Sequence, residues 1–507
     1  MIQRRDLLSL FIVASIVILL RLPSIVEPLD NDSGAIAYHS RLILRGEPLY
    51  STHHTGHHLP AGYYSYVLAF LIFGDQPAAP KLLLIPWLVA CAWVLYGMGC
   101  LLIDRWTGFI AAIFFAFLIS HMFLKGMTAE TELFANLPLS AGVFLSLFIV
   151  KKRALAWNFF WVGILASAAV MYKAIYVAPL VVGVFIILGD FWLNRESKGI
   201  KILLEQLAWL FAGLAVPVLL VLAYFAHQGI LDRFLLVFQL GVQYTKVIST
   251  RLANVTLPIG VFPILFMAFN NPILLVLGLV GSFRLLRSSF PIRSVQAVVN
   301  LGLALWLYLS FAQAGITGVG FAHYVLLVVP PLVFISSLEI KALGNMWRNR
   351  LPVRRARLMQ WLLVAAVIGY SMVLNNSIYI HYVKYKLGLE SYNAFLTGHF
   401  GTGKIYLRVM KIAAYIQENT SPNEPVFYWG DDVQFYYLAN RRAAVEIIWP
   451  DYIQALGLYE EVRSSQPRYI IVTDLLWQDR PEWLEQVLQE SYNMEKTFDN
   501  QQVYKRK

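Results

Sequence analysis

Apolar positions along this chain gather into long runs separated by short polar turns. The first run covers residues 7–22; others cover 81–102, 107–124, 132–150, 157–172, 174–193, 203–226, 272–286, 295–311, 324–340 and 358–378. At 1.5 Å of rise per helical residue, runs of this length match the hydrocarbon thickness of a bilayer, the shorter ones with interfacial flanks. The pattern predicts a polytopic α-helical membrane protein of about eleven transmembrane helices. Between the first two runs lies a wet stretch, 30–74. From about residue 381 the pattern turns soluble: 405–418 reads as an amphipathic helix, 425–429 as a strand, 433–440 as helical, 469–472 as a β-branched strand, and 481–491 as a helix opened by proline. The expected organisation is a membrane part over 1–380, with its first external loop at 24–80, and a small α/β domain over 381–507. No internal repeat or low-complexity tract interrupts it.

Composition agrees: 58% of the 507 residues are hydrophobic and 14% charged. Arg4 and Arg5 precede the first run as they would in a signal peptide, but no small-residue cleavage pattern follows, so the run is expected to stay as a span. Basic residues recur on alternate turns: Arg4 and Arg5, Arg105, Lys151 to Arg153, Arg195 with Lys198 and Lys201, Arg284 with Arg287 and Arg293, then 341–357. The positive-inside rule makes that side the cytoplasm, N-terminus included. The net charge of +11 then reflects topology and contact with membrane lipids, not nucleic acid as a partner. An odd number of spans puts the C-terminal domain outside, with 30–74, the turn 125–132, the turn at Lys173, segment 227–271 and turn 312–323. For a bacterial chain the compartment is the inner membrane. Cys91 and Cys100 lie in one run, about 13 Å apart by helical rise, beyond disulfide reach.

The outer segments carry the candidate chemistry. Asp30 and Asp32 follow Pro23 and Pro28, which are expected to end the first helix. They precede Tyr38, Arg41 and Arg45 at helical spacing, so the acids lie at a helix N-terminus, where a carboxylate stays ionised and can act as a base. His53, His54, His57 and His58 read HHxxHH, open to a metal site, to phosphate contact or to a plain polar loop, although Gly56 and Pro60 disfavour a regular helix. Glu132 stands at the outer end of its run beside Glu130, a carboxylate near hydrocarbon that needs a partner or a function. His57 and Glu132 are the candidate ligands for a divalent metal ion, the one cofactor considered. Lys173 sits in a turn between two apolar helices, either snorkelling or facing a site. His323 and Tyr324 open another run from the same side. Tyr63, Tyr64 and Tyr66 can stack on sugars or anchor at the interface. Tyr38, Tyr63 and Glu132 are the candidate contacts for acceptor and sugar. An acidic base, cationic donors and a bilayer boundary suit transfer from a lipid-linked phosphate, whose leaving group gains negative charge.

The stretches D-S-G-A-I-A-Y, L-I-L-R-G-E-P-L-Y, H-H-L-P-A-G-Y-Y and L-A-F-L-I-F-G resemble the first external loop of bacterial members of the dolichyl-phosphate-mannose protein mannosyltransferase family. That family is a branch of the GT-C membrane glycosyltransferases, similar also to the aminoarabinose transferase acting on lipid A. T-E-L-F-A-N-L-P from Thr131, Y-K from Tyr172, G-F-A-H-Y from Gly320 and W-G-D-D-V-Q-F-Y-Y-L-A-N-R in the tail extend the likeness over nearly the whole chain. The resemblance implies inverting transfer of one sugar from a polyprenyl-phosphate donor to an acceptor hydroxyl, with the loop aspartate as base. By motif that residue is Asp32; Ser33 replaces the family's usual glutamate, and Asp30 is the acid nearest to supply it. Glu132 and Lys173 match the second-loop acid and the inter-helix lysine, and His323 with Tyr324 the late His-Tyr pair. His57 and His58 stand where the family often carries an acid or histidine and then lysine, and so are assigned with Lys173, His323 and Tyr324 to the donor phosphate.

Three rivals remain. A transporter or flippase for a lipid-linked sugar predicts charges at mid-membrane depth, whereas these gather at the ends of the runs. A ligase or polymerase of whole glycans differs only in donor size. A non-catalytic envelope assembly protein would tolerate replacement of Asp32.

Overall fold

The computed structural model describes residues 4–196, 199–251, 261–316, 320–399, 403–473 and 480–507. Lys198 of the basic series lies outside them. Each of the eleven expected runs falls on a helix. Seven of the described helices are long and apolar enough to cross a membrane: Arg4–Val26, Ala79–Leu102, Thr131–Lys152, Ile200–His227, Pro272–Ser289, Val295–Gly315 and Val353–Lys386. The other four runs are occupied by Arg105–Ile119, Phe159–Val170, Ala178–Leu193 and Val329–Arg348. The protein is a multi-pass α-helical membrane protein.

Boundaries differ from expectation where local chemistry overrides apolarity. Pro23 does not end the first helix, which runs through it to Val26. A proline in the last turn forfeits one backbone bond, and Pro28 lies beyond the end. The third run stops at Ile119, because His121 starts a short 3-10 helix closed by Lys125 in the left-handed conformation at φ +56°.

The chain divides into two compact units. The first comprises Met1–Pro23, Leu83–Tyr224 and Val255–Asn376. Its core is aliphatic and aromatic, with Phe114, Phe115 and Trp306 fully buried. At one end of this bundle Arg105 meets Asp6 at 2.6 Å, Lys341 meets Asp104 at 2.6 Å and Arg284 meets Glu339 at 2.6 Å. Basic groups from turns far apart in sequence thus share that end.

The second unit comprises Ser24–Leu82, Phe225–Asn254 and Ser377–Lys507. The first-loop helices Asn31–Leu44 and Ala61–Phe73 belong to it, as does helix Leu231–Arg251. Its C-terminal part is α/β. Strands β1 (Val426–Trp429), β2 (Tyr469–Thr473), β3 (Tyr492–Phe498) and β4 (Gln501–Arg506) form one sheet in the order β1-β2-β4-β3. β1 and β2 run parallel, Val426 opposite Tyr469, while β4 pairs antiparallel with both β2 and β3. Every residue of β1 and β2 is buried, consistent with two apolar runs. Helices Gly403–Asn419, Gln434–Ala439 and Glu482–Ser491 also lie in this part.

Candidate functional site

Asp30 caps helix Asn31–Leu44: its Oδ1 accepts the Ser33 N–H at 3.1 Å, satisfying an amide that a helix start leaves without a partner. Asp32 falls in the first turn, half-buried, where the helix dipole favours its charge. Tyr63, on the next helix, is fully buried, and its hydroxyl pKa is pushed up by that burial, with the charge of Asp32 adding to the rise.

The helix bearing Asp32 is fixed against helix Gln434–Ala439. A Cβ on Gly34 would lie 2.2 Å from the Gln434 Cβ, so only glycine permits this approach. Farther along, the Tyr38 hydroxyl accepts the Ala443 N–H at 2.9 Å, and burial pushes that phenol up to about 12. Arg41 pairs with Asp75 at 2.5 Å, donates to the Tyr437 carbonyl at 2.7 Å and stacks on the Tyr437 ring at 3.9 Å. Arg45 donates to Asn440 at 2.6 Å. The sequence stretches D-S-G-A-I-A-Y and V-Q-F-Y-Y-L-A-N are therefore two sides of one helix contact.

The four histidines separate into two kinds. The segment is built of turns, not a helix, so HHxxHH does not present two imidazoles on one face. His53 Nδ1 lies 2.8 Å from His39 Nδ1, and burial pushes His53 down to about 4 and His39 well below the usual imidazole range. His54 is held by the Arg233 carbonyl at 3.0 Å and the Gly56 N–H at 3.1 Å, and burial lowers it too. These three are neutral packing groups. His57 and His58 are only half-buried. The His57 ring stacks on Tyr244 with centroids 4.2 Å apart, and its Nδ1 shares a 2.5 Å hydrogen bond with the Tyr452 hydroxyl.

The first unit holds the remaining candidates. Glu132 lies in the first turn of helix Thr131–Lys152 and is almost fully buried. The Tyr176 hydroxyl donates to its Oε1 at 2.6 Å, and the Lys173 ammonium lies 3.4 Å from the same atom. That ammonium also sits 3.8 Å over the Tyr324 ring, a cation–π contact, and the His323 ring meets Tyr324 edge-on at 4.5 Å. Burial draws the Lys173 pKa down, but Tyr324 and Glu132 outweigh it and leave it raised, so the group is a fixed cation. The structure thus brings together Glu132, Lys173, His323 and Tyr324, as the residue types suggested.

The neighbouring turn is held as tightly. Lys125 pairs with Glu130 at 3.1 Å, and Arg21, fully buried in the first span, donates to the Thr128 carbonyl at 2.8 Å. Ligand atoms of Glu130 and His323 lie within 4.8 Å of one another. A carboxylate oxygen and an imidazole nitrogen so placed can share a divalent cation. The expected ligands His57 and Glu132 do not fall in a candidate metal group among the described residues, and Glu132 is engaged by Lys173 and Tyr176 instead. Arg21 and Tyr176 escaped the sequence reading, though each left a signal. Arg21 is a charge near the end of an apolar run, and Tyr176 is three residues beyond Lys173 in the same non-helical turn.

The Ccs4_C family model, described as the putative competence-induced protein Ccs4 C-terminal domain, matches residues 408–507. No curated protein matches by sequence. Solved structures match over 92–98% of this chain. ArnT from Cupriavidus metallidurans bound to undecaprenyl phosphate is 13% identical with a TM-score of 0.58, covering 98% of this chain and 97% of ArnT. The Archaeoglobus fulgidus oligosaccharyltransferase tethered with an acceptor peptide is 12% identical with a TM-score of 0.56, covering 92% of this chain and 68% of that one. The same enzyme in complex with Zn and sulfate gives 12% and 0.55 over 92% and 68%. The fold is that of the GT-C membrane glycosyltransferases.

Proposed function

We propose that the protein is an inverting glycosyltransferase that moves a single sugar from a polyprenyl-phosphate donor to an acceptor hydroxyl, on the extracytoplasmic face of a bacterial inner membrane. The acceptor oxygen attacks the anomeric carbon as the bond from that carbon to the phosphate oxygen breaks. The acceptor proton passes to the Asp32 carboxylate, and the polyprenyl phosphate leaves carrying the added negative charge. Lys173, His323 with Tyr324, and the His57-His58 pair are assigned to that phosphate. Asp30 holds the helix start that presents Asp32. Tyr63 and Tyr38, both buried, support the helix that presents Asp32 from within the first-loop packing, Glu132 orients Lys173, and the C-terminal α/β part receives the acceptor.

The observation that carries this reading is the Lys173 ammonium, half-buried and fixed by Glu132 and Tyr324, in a chain whose fold matches a protein crystallised with undecaprenyl phosphate. A fixed cation is the group a departing phosphate needs, preorganised before charge develops. A divalent cation is part of the proposal, with Glu130 and His323 as its donors. Bound there, it would add positive charge beside the phosphate.

The test incubates the purified protein with a panel of polyprenyl-phosphate sugars, with and without chelator, and follows released lipid phosphate. Release from at least one donor supports the reading. No release or transfer from any donor, together with movement of donor lipid across vesicles, would replace it with transport. Chelation should slow turnover and added divalent metal restore it; full activity in chelator removes the ion alone.

A further inference from the structure

Around the turn joining helices Val329–Arg348 and Val353–Lys386, five arginines fall within ten residues. Arg348, Arg350, Arg354, Arg355 and Arg357 are all exposed. No aspartate or glutamate occurs between Glu339 and Glu390, and Glu339 is already paired with Arg284 at 2.6 Å. Among the described residues, none of the five guanidiniums meets a carboxylate. The turn itself is ordered by backbone bonds from Arg350 and Leu351 to the Trp347 carbonyl, at 3.0 and 2.7 Å, and from Ala356 to Pro352 at 3.1 Å. The two helices are pinned where Gln360 donates to the Ile340 carbonyl at 3.3 Å, a contact that needs glycine at 344 because a Cβ there would lie 1.6 Å from the Gln360 amide. Five cations are therefore held close together without counter-charge.

The first turns of helix Val353–Lys386 fix their depth. Trp361, one helical turn beyond Arg357, is 50% exposed and meets Trp106 edge-on at 6.1 Å; Leu358 and Leu362 are exposed at 57% and 59%. Tryptophan prefers the interface of a bilayer, and exposed leucines face its hydrocarbon. Guanidiniums one turn outside that level stand where lipid phosphates lie, and a planar fork of donors takes phosphate oxygens in pairs. A zwitterionic headgroup brings its own cation, whereas an anionic one does not.

We infer that this arginine turn is a binding surface for anionic phospholipid headgroups, which gather there from the surrounding membrane. It lies outside the residues assigned to sugar transfer, so its failure and the failure of that assignment are separate results.

The experiment reconstitutes the full chain in mixed phosphatidylcholine membranes with spin-labelled phosphatidylglycerol or spin-labelled phosphatidylcholine, and compares the motionally restricted fraction of each. Wild type should favour phosphatidylglycerol at least about fivefold, the contribution of a single arginine at a charged surface. The preference should fall as salt shortens the screening length from about 10 Å to about 3 Å. Arg354→Gln with Arg355→Gln and Arg357→Gln should lose most of it, while the corresponding three-lysine variant, which keeps charge, should retain most. The lysine variant, with a matched melting temperature, separates lost charge from lost folding. Equal association of both lipids with wild type, or an unchanged preference in the glutamine variant, would overturn the inference.

Discussion

Glu132→Gln tests the buried cluster most sharply, because it keeps shape and removes only charge. The native carboxylate takes the Tyr176 hydroxyl at 2.6 Å and the Lys173 ammonium at 3.4 Å, with the glutamate side chain 1% exposed and the lysine 17%. Removing one partner of a buried ion pair costs about 3–5 kcal/mol when the other stays charged. Lys173 keeps its seat over the Tyr324 ring in both forms, so that contact does not alter the difference, and the expected loss is about 3–5 kcal/mol. Adding Lys173→Met removes the stranded charge, and an apolar replacement for a buried pair is often close to neutral. The double variant should be more stable than Glu132→Gln alone by at least about 1 kcal/mol. Unfolding of both variants in detergent measures this. A single variant as stable as wild type, or a double variant that loses the sum of the two single losses, would refute the reasoning.

Acid should loosen the first-loop unit. The His53 imidazole is pushed down to about 4 by burial, so the unfolded chain takes its proton first, near the ordinary value of about 6.5. Stability is then full above that pH and lost as pH falls toward 4, by up to roughly 3 kcal/mol for this group. His39 and His54 shift the same way. Stability measured from pH 7 to 4 should fall, and His53→Gln should flatten the slope; an identical slope in that variant contradicts the assignment. Gly34→Ala should cost about 1–3 kcal/mol, as overpacking does, because its Cβ meets Gln434 at 2.2 Å. Wild-type melting in that variant would show that the two helices yield more easily than this contact allows.

How much the sequence disclosed depends on where each signal lies. The spans were legible because a bilayer demands long apolar runs, and β1 and β2 because buried strands are apolar and β-branched. β3 and β4 were not read: five of the seven residues of β3 are exposed, Asn493, Glu495 and Lys496 among them, so no hydrophobic alternation marks it. Helix Leu231–Arg251 lay in a segment read only as external, since its polar face masks the apolar stripe carrying Leu240 into the cluster with Ile447 and Tyr452. Glu132 and Lys173 could be placed on one side of the membrane by the alternation of basic turns, but not paired with each other, a contact first seen in the structure. Tyr176 as their third member, and Gly34 as the contact with Gln434, depend on side-chain distances that spacing does not encode.

The central claim is that Asp32 takes the acceptor proton. On whichever donor the panel identifies, sugar transfer and donor binding should be measured side by side for wild type and Asp32→Asn. Transfer should fall by a factor on the order of 10³, with donor affinity nearly unchanged. Near-normal turnover in the asparagine variant would contradict the account.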